Sequence, residues 1–66
     1  MKNDLAVYSV DGECVRTLHR GPLDKGDYVF TWDGRDDAGR PAPEGIYFAQ
    51  LLSDRGDEAT RITLLR

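Results

Sequence analysis

One cysteine, one histidine, one tryptophan and one methionine are spread over 66 residues. A lone cysteine excludes an intramolecular disulfide and a cysteine-rich zinc site. No apolar run is long enough to cross a bilayer, and no apolar stretch follows Met1-Lys2-Asn3-Asp4, so neither a membrane span nor a signal peptide is read. On that basis the chain as written is expected in the cytoplasm. As a piece of a larger exported protein, it is expected outside the cell or at its surface. The 12 acidic and 9 basic side chains give a net charge of −3. That balance disfavours a nucleic-acid partner, which calls for a basic face. No segment of ten or more residues carries apolar positions at helical spacing.

What remains is β-sheet signal. Tyr28, Phe30 and Trp32 alternate with Val29 and Thr31, all residue types that suit a pleated, half-buried surface. Period 2 predicts a strand over Asp27–Asp33 with the three rings on one face. Trp32 is the expected centre of a small core, and its indole N–H then needs an acceptor. Asp33-Gly34 and Ala38-Gly39 are turn signals, and Pro41 and Pro43 exclude an ordinary central strand. Leu5–Val10 and Glu13–His19 read as strands joined at Asp11-Gly12, a type I′ hairpin signal. In the second of these neither face is cleanly apolar. Gly45–Ser53 reads as a strand with Tyr47, Ala49 and Leu51 opposite Ile46, Phe48, Gln50 and Leu52. A hairpin at Asp54–Asp57 leads to a last strand, Glu58–Leu65, with Thr60, Ile62 and Leu64 on one face. The expected fold is all-β, a single domain over residues 1–66 forming an antiparallel sandwich or small barrel of about five strands.

Four stretches carry a family resemblance. Val7–Leu18, with Asp11-Gly12 and Val15-Arg16-Thr17-Leu18, resembles the opening of the FlgD-like immunoglobulin-like domain. Gly26–Asp36, around Trp32-Asp33-Gly34-Arg35-Asp36, resembles that family's centre, and Gly39–Phe48, around Gly45-Ile46-Tyr47-Phe48, its return. Thr60–Leu65 is similar to its closing strand. Glu13 departs from the family's usual basic residue, and the stretch that usually precedes the first strand has no counterpart. The resemblance implies an immunoglobulin-like sandwich, incomplete and completed by another chain. It also implies a scaffolding module, or an anchoring and sorting module at the end of a larger surface protein. It supplies no catalytic residues and no cofactor.

Several constellations invite chemistry. Asp33, Asp36 and Asp37, with Glu44, are candidate calcium ligands, since hard cations take about six to eight oxygens. Their spacing does not match the EF-hand loop, and turn capping is the plainer use. Cys14 and His19 fall on opposite faces of one strand, which excludes a nucleophile–base pair. Arg55-Gly56-Asp57 is an integrin-type tripeptide at a hairpin tip, and equally ordinary turn chemistry. The Tyr28, Phe30, Trp32 stripe suits either a carbohydrate platform or an inner sheet face, and a lone Trp in a small β-domain favours the latter.

The expected function is a non-catalytic structural or protein-interaction module, with a carbohydrate-binding accessory module as the alternative. An absent first strand leaves an open sheet edge. The expected partner is therefore protein, another copy first, through Leu5, Val7, Ile62 and Leu64 on the strands taken as edges.

Overall fold

The computed structural model describes residues 3–22, 29–54 and 56–65. Among these, four strands form one antiparallel sheet: β1 (Asn3–Ser9), β2 (Cys14–Gly21), β3 (Gly45–Ser53) and β4 (Gly56–Leu64). Their order is β2-β1-β3-β4. The fold is all-β and open, an incomplete immunoglobulin-like sandwich. The hairpins β1–β2 and β3–β4 lie side by side, joined through β1 and β3, with Val7 opposite Ala49 and Tyr8 opposite Phe48.

This order corrects one expectation. The first strand is not an edge: β1 is paired on both sides, and Val7 has no exposed surface. The edges are β2 and β4.

A second correction concerns residues 29–33, which form no strand. Val29 is 93% exposed, whereas Phe30 and Trp32 lie against the sheet through their rings. Asp27 and Tyr28 lie outside the described residues. The aromatic alternation here places rings, not a hydrogen-bonded ladder. A strand needs an available edge, and the edge of β2 is already engaged by the loop that follows.

The Asp11-Gly12 turn is also of another type. Only glycines have positive φ among the described residues, so Asp11 does not. Ser9 O accepts the Gly12 N–H at 3.0 Å, and Ser9 N–H donates to Glu13 O at 2.9 Å. This is a three-residue connection, a type I turn closed by Gly12 at φ 88°.

Register explains why β2 resisted a simple reading. Pairing with β1 shifts between Leu5 and Ala6 and again between Val7 and Tyr8, leaving Leu18 and Val15 without partners. Each extra residue is a bulge that re-aims the side chains beyond it. Val15 and Leu18 stand three apart and would face opposite sides of a regular strand. Both pack against the core.

That core is small. Val7, Ala42 and Tyr47 are buried, with Val15, Leu18, Trp32, Ile62 and Leu64 packed around them. Burying Val7 fully contributes about 2 kcal/mol. Tyr47 donates its hydroxyl to Pro43 O, four residues upstream, in the manner of the tyrosine corner of immunoglobulin-like sandwiches. The opposite sheet face carries Ile46, Phe48 and Leu52, each more than a third exposed. Strand β3 thus presents the two faces its alternation predicts.

Candidate functional site

Among the described residues, the acidic loop after Trp32 is densely hydrogen-bonded. Each aspartate in it does something specific. Asp33 Oδ1 accepts the Arg35 N–H at 3.0 Å, a local Asx turn that reverses the chain at Gly34. Asp36 Oδ1 accepts the N–H groups of Ala38 and Arg40, both at 2.9 Å, and Oδ2 accepts Arg40 Nε at 3.1 Å. The Arg40 backbone N–H is the chief reason that the Asp36 carboxyl lies below its ordinary value. The Arg40 charge and the Ala38 N–H add to the lowering, and desolvation opposes it.

Asp37 reaches much further. Its Oδ1 accepts the backbone N–H of Thr17 at 3.0 Å, and its own N–H donates to Val15 O at 3.0 Å. The loop therefore bonds to the outward side of β2 as a short strand would. Arg16 braces the contact, its guanidinium donating to Asp36 O at 3.0 Å.

The loop closes on itself through the Arg35–Pro41 bridge and the Ala42 N–H to Gly34 O bond of 2.8 Å. That closure carries Ala42 into the core at 5% exposure. Trp32 holds the entrance. Its ring meets Tyr47 edge-on at 5.0 Å, and its Nε1–H donates to Arg35 O at 2.9 Å. The indole thus has the acceptor that the sequence required of it.

The candidate calcium ligands are brought onto one loop but not around one point. Among the described residues no three His, Cys, Asp or Glu side chains are grouped to hold a metal ion. Asp33, Asp36 and Asp37 each hold a different backbone N–H, and Glu44 is exposed. An open groove of about 540 Å³ runs between the β1–β2 turn and this loop, lined by Glu13, Cys14, Asp37, Arg40 and Tyr47 among others. Cys14 is exposed there. His19 is half-buried, its ring tilted at 44° against Phe30 with centroids 5.4 Å apart and Nε2 at 3.2 Å from Gly21 O. Of the Arg55-Gly56-Asp57 tripeptide, Arg55 lies outside the described residues, and Gly56 and Asp57 open β4.

The two sheet edges are therefore unequal. Among the described residues, β2 has its outward groups at Val15 and Thr17 engaged by the loop. The nine residues of β4 are paired to β3 alone. Ile62 and Leu64 are half-buried on the core face of β4, and Asp57, Ala59 and Arg61 are exposed on the other. Of the four residues expected on edges, Ile62 and Leu64 lie on the edge strand β4, whereas Leu5 and Val7 lie on the inner strand β1. Sequence reasoning missed Asp37 as an edge clamp, for which an Asp two residues after the Asp33-Gly34-Arg35 turn is the only local cue. No helix among the described residues is long and apolar enough to cross a membrane.

The family model for the FlgD Ig-like domain matches residues 2–57. Two relatives are similar, the basal-body rod modification protein FlgD of Salmonella typhimurium and that of Salmonella typhi. Each is 41% identical over 46 residues, which are 70% of this chain and 20% of the relative. The matched stretch thus spans about a fifth of the curated relatives' length. No solved structure matches significantly. The family match ends at Asp57, so most of β4 lies beyond it.

Proposed function

The chain belongs to the FlgD Ig-like domain family, and from that premise we propose that it is a non-catalytic structural module that joins protein to protein. It works as a scaffolding or anchoring unit of a larger exported protein, through its open edge and the sheet faces beside it. One observation carries this reading. The loop carboxylates are committed to backbone N–H groups, Asp33 and Asp36 within the loop and Asp37 on β2, while β4 keeps an unpaired outward side among the described residues. Unpaired strand edges recognise other strands. Ile62 and Leu64 are the contact residues, with Leu5 and Val7 supporting them from within the sheet. The two Salmonella relatives are named as basal-body rod modification proteins, which suggests a place in modification of that rod. The carbohydrate-platform alternative has weaker support, because Trp32 is already engaged by Tyr47 and Arg35.

The test is a chimera. The matched segment of the Salmonella typhimurium relative is replaced by the corresponding residues of this chain, and flagella are counted by electron microscopy. Assembly at the parental level supports the reading. A chimera that accumulates and folds but leaves cells without flagella overturns it.

A further inference from the structure

The charges on β4 have an arrangement that the structural-module reading does not itself require. The strand pairs with β3 without a register shift from Gly56 to Leu64, so strict alternation puts Asp57, Ala59, Arg61 and Thr63 on one face. Asp57 and Arg61 are both exposed, one acidic and one basic, and equidistant from Ala59. Edge charges usually discourage pairing. A pair of opposite sign, symmetric about a small residue, does the reverse for one partner: a strand running antiparallel with the same sequence.

We propose that a second copy of this chain pairs with β4 in antiparallel register, Ala59 facing Ala59 across a two-fold axis and Asp57 of each copy opposite Arg61 of the other. The two sheets then run on as one, with eight strands. Face continuity requires residues of like parity to meet, which leaves few registers. Shifting by two sets Arg61 against Ala59 and loses both charge pairs. Shifting by four sets Arg61 against Arg61. On the other face the favoured register brings Ile62 over Gly56 of the second copy. A side chain placed at Gly56 meets nothing within 4 Å, so room exists for the half-buried isoleucine. The β2 edge is interrupted for such pairing at Val15 and Thr17, where Asp37 engages it.

The proposal rests on the structural-module reading and adds its partner and register. One strand per copy makes a small interface, under about 1,200 Å² in total, so association is weak and the measurement must extend to high concentration. Sedimentation equilibrium of the 66-residue chain is expected to show a reversible dimer weakened by salt. Arg61→Asp or Asp57→Arg weakens it about tenfold or more, since two favourable cross-strand pairs become repulsive. The double variant D57R/R61D restores it. Circular dichroism checks that each variant keeps its sheet.

Geometry gives a second readout that does not depend on affinity. In a Cys14→Ser background, Ala59→Cys is expected to form a covalent dimer under mild oxidation, while Thr63→Cys is not. A chain that stays monomeric and fails to cross-link at position 59, or a dimer indifferent to both charge reversals, overturns the proposal. A chimera that builds flagella with a monomeric chain removes only this pairing. A chimera that fails while position 59 cross-links removes the module reading instead.

Discussion

Asp37 holds the backbone N–H of Thr17 at 3.0 Å across twenty positions of sequence, and its own N–H reaches Val15 O at the same distance. One residue thus supplies a side-chain acceptor and a main-chain donor to a bulged strand. Asp37→Ala removes the acceptor and leaves Thr17 N–H facing water. With the Asp37 side chain 59% exposed, the expected loss is about 1 kcal/mol by urea denaturation. Self-association through β2 should rise in the same variant. A stability equal to the parent's would show the clamp to be incidental.

Trp32 joins the loop to the core through its ring and its N–H. Trp32→Ala is expected to cost about 2–3 kcal/mol, combining lost burial, the edge-on contact with Tyr47 and the bond to Arg35 O. A domain of this size has only a few kcal/mol in hand, so much of the variant should be unfolded at room temperature by circular dichroism. Parental indole emission is expected to be blue-shifted and unchanged by added polysaccharide. A polysaccharide-dependent shift would favour the carbohydrate-binding alternative.

Gly12 has φ 88° in the turn between β1 and β2. An added Cβ meets nothing within 4 Å, so space is not the obstacle. Backbone conformation is. Gly12→Ala is expected to destabilise by about 1 kcal/mol, and Gly12→Asn by less. Chemical denaturation of the pair separates this cause from loss of a contact.

Acid should loosen the loop through Asp36. Its folded carboxyl is lowered from 3.8, first by the Arg40 N–H. A depressed folded value means that ionisation stabilises the fold. The contribution is fully present above the unfolded value near 3.8 and is lost as pH falls through the lower folded value. Melting curves of parent and Asp36→Asn should therefore differ at neutral pH and converge as the solution is acidified below 3.8. Curves that stay equally far apart in acid would assign the difference to packing.

These variants also show where the sequence was informative. Strand β3 was legible to the residue, Gly45–Ser53, because its alternation is unbroken and both ends carry turn residues. The partner of the Trp32 indole N–H was legible as a requirement, though not as Arg35. Strand β2 was harder, since bulges at Val15 and Leu18 bring positions of opposite parity onto one core. Period 2 fails wherever the ladder gains a residue. Over residues 29–33 the predicted strand failed for another reason. Local alternation reports which rings need cover, whereas a strand also needs a vacant edge, and that depends on Asp37 reaching Thr17. Strand order was equally hidden: nothing between Leu5 and Val10 says that β3 comes to lie beside it.

The β1–β3 ladder has a consequence for folding kinetics. Each hairpin is local and can begin to form early, but Val7 lies between Arg16 on one side and Ala49 on the other. Neither hairpin encloses it alone. Its burial comes only when the chain closes from Asn3 to Ser53, and that closure entropy must be met before any long-range contact compensates it. The sheet is thus expected to form in a single cooperative step, with docking of two unstable halves as the slow event. A peptide of residues 3–21 should accordingly remain without structure in solution.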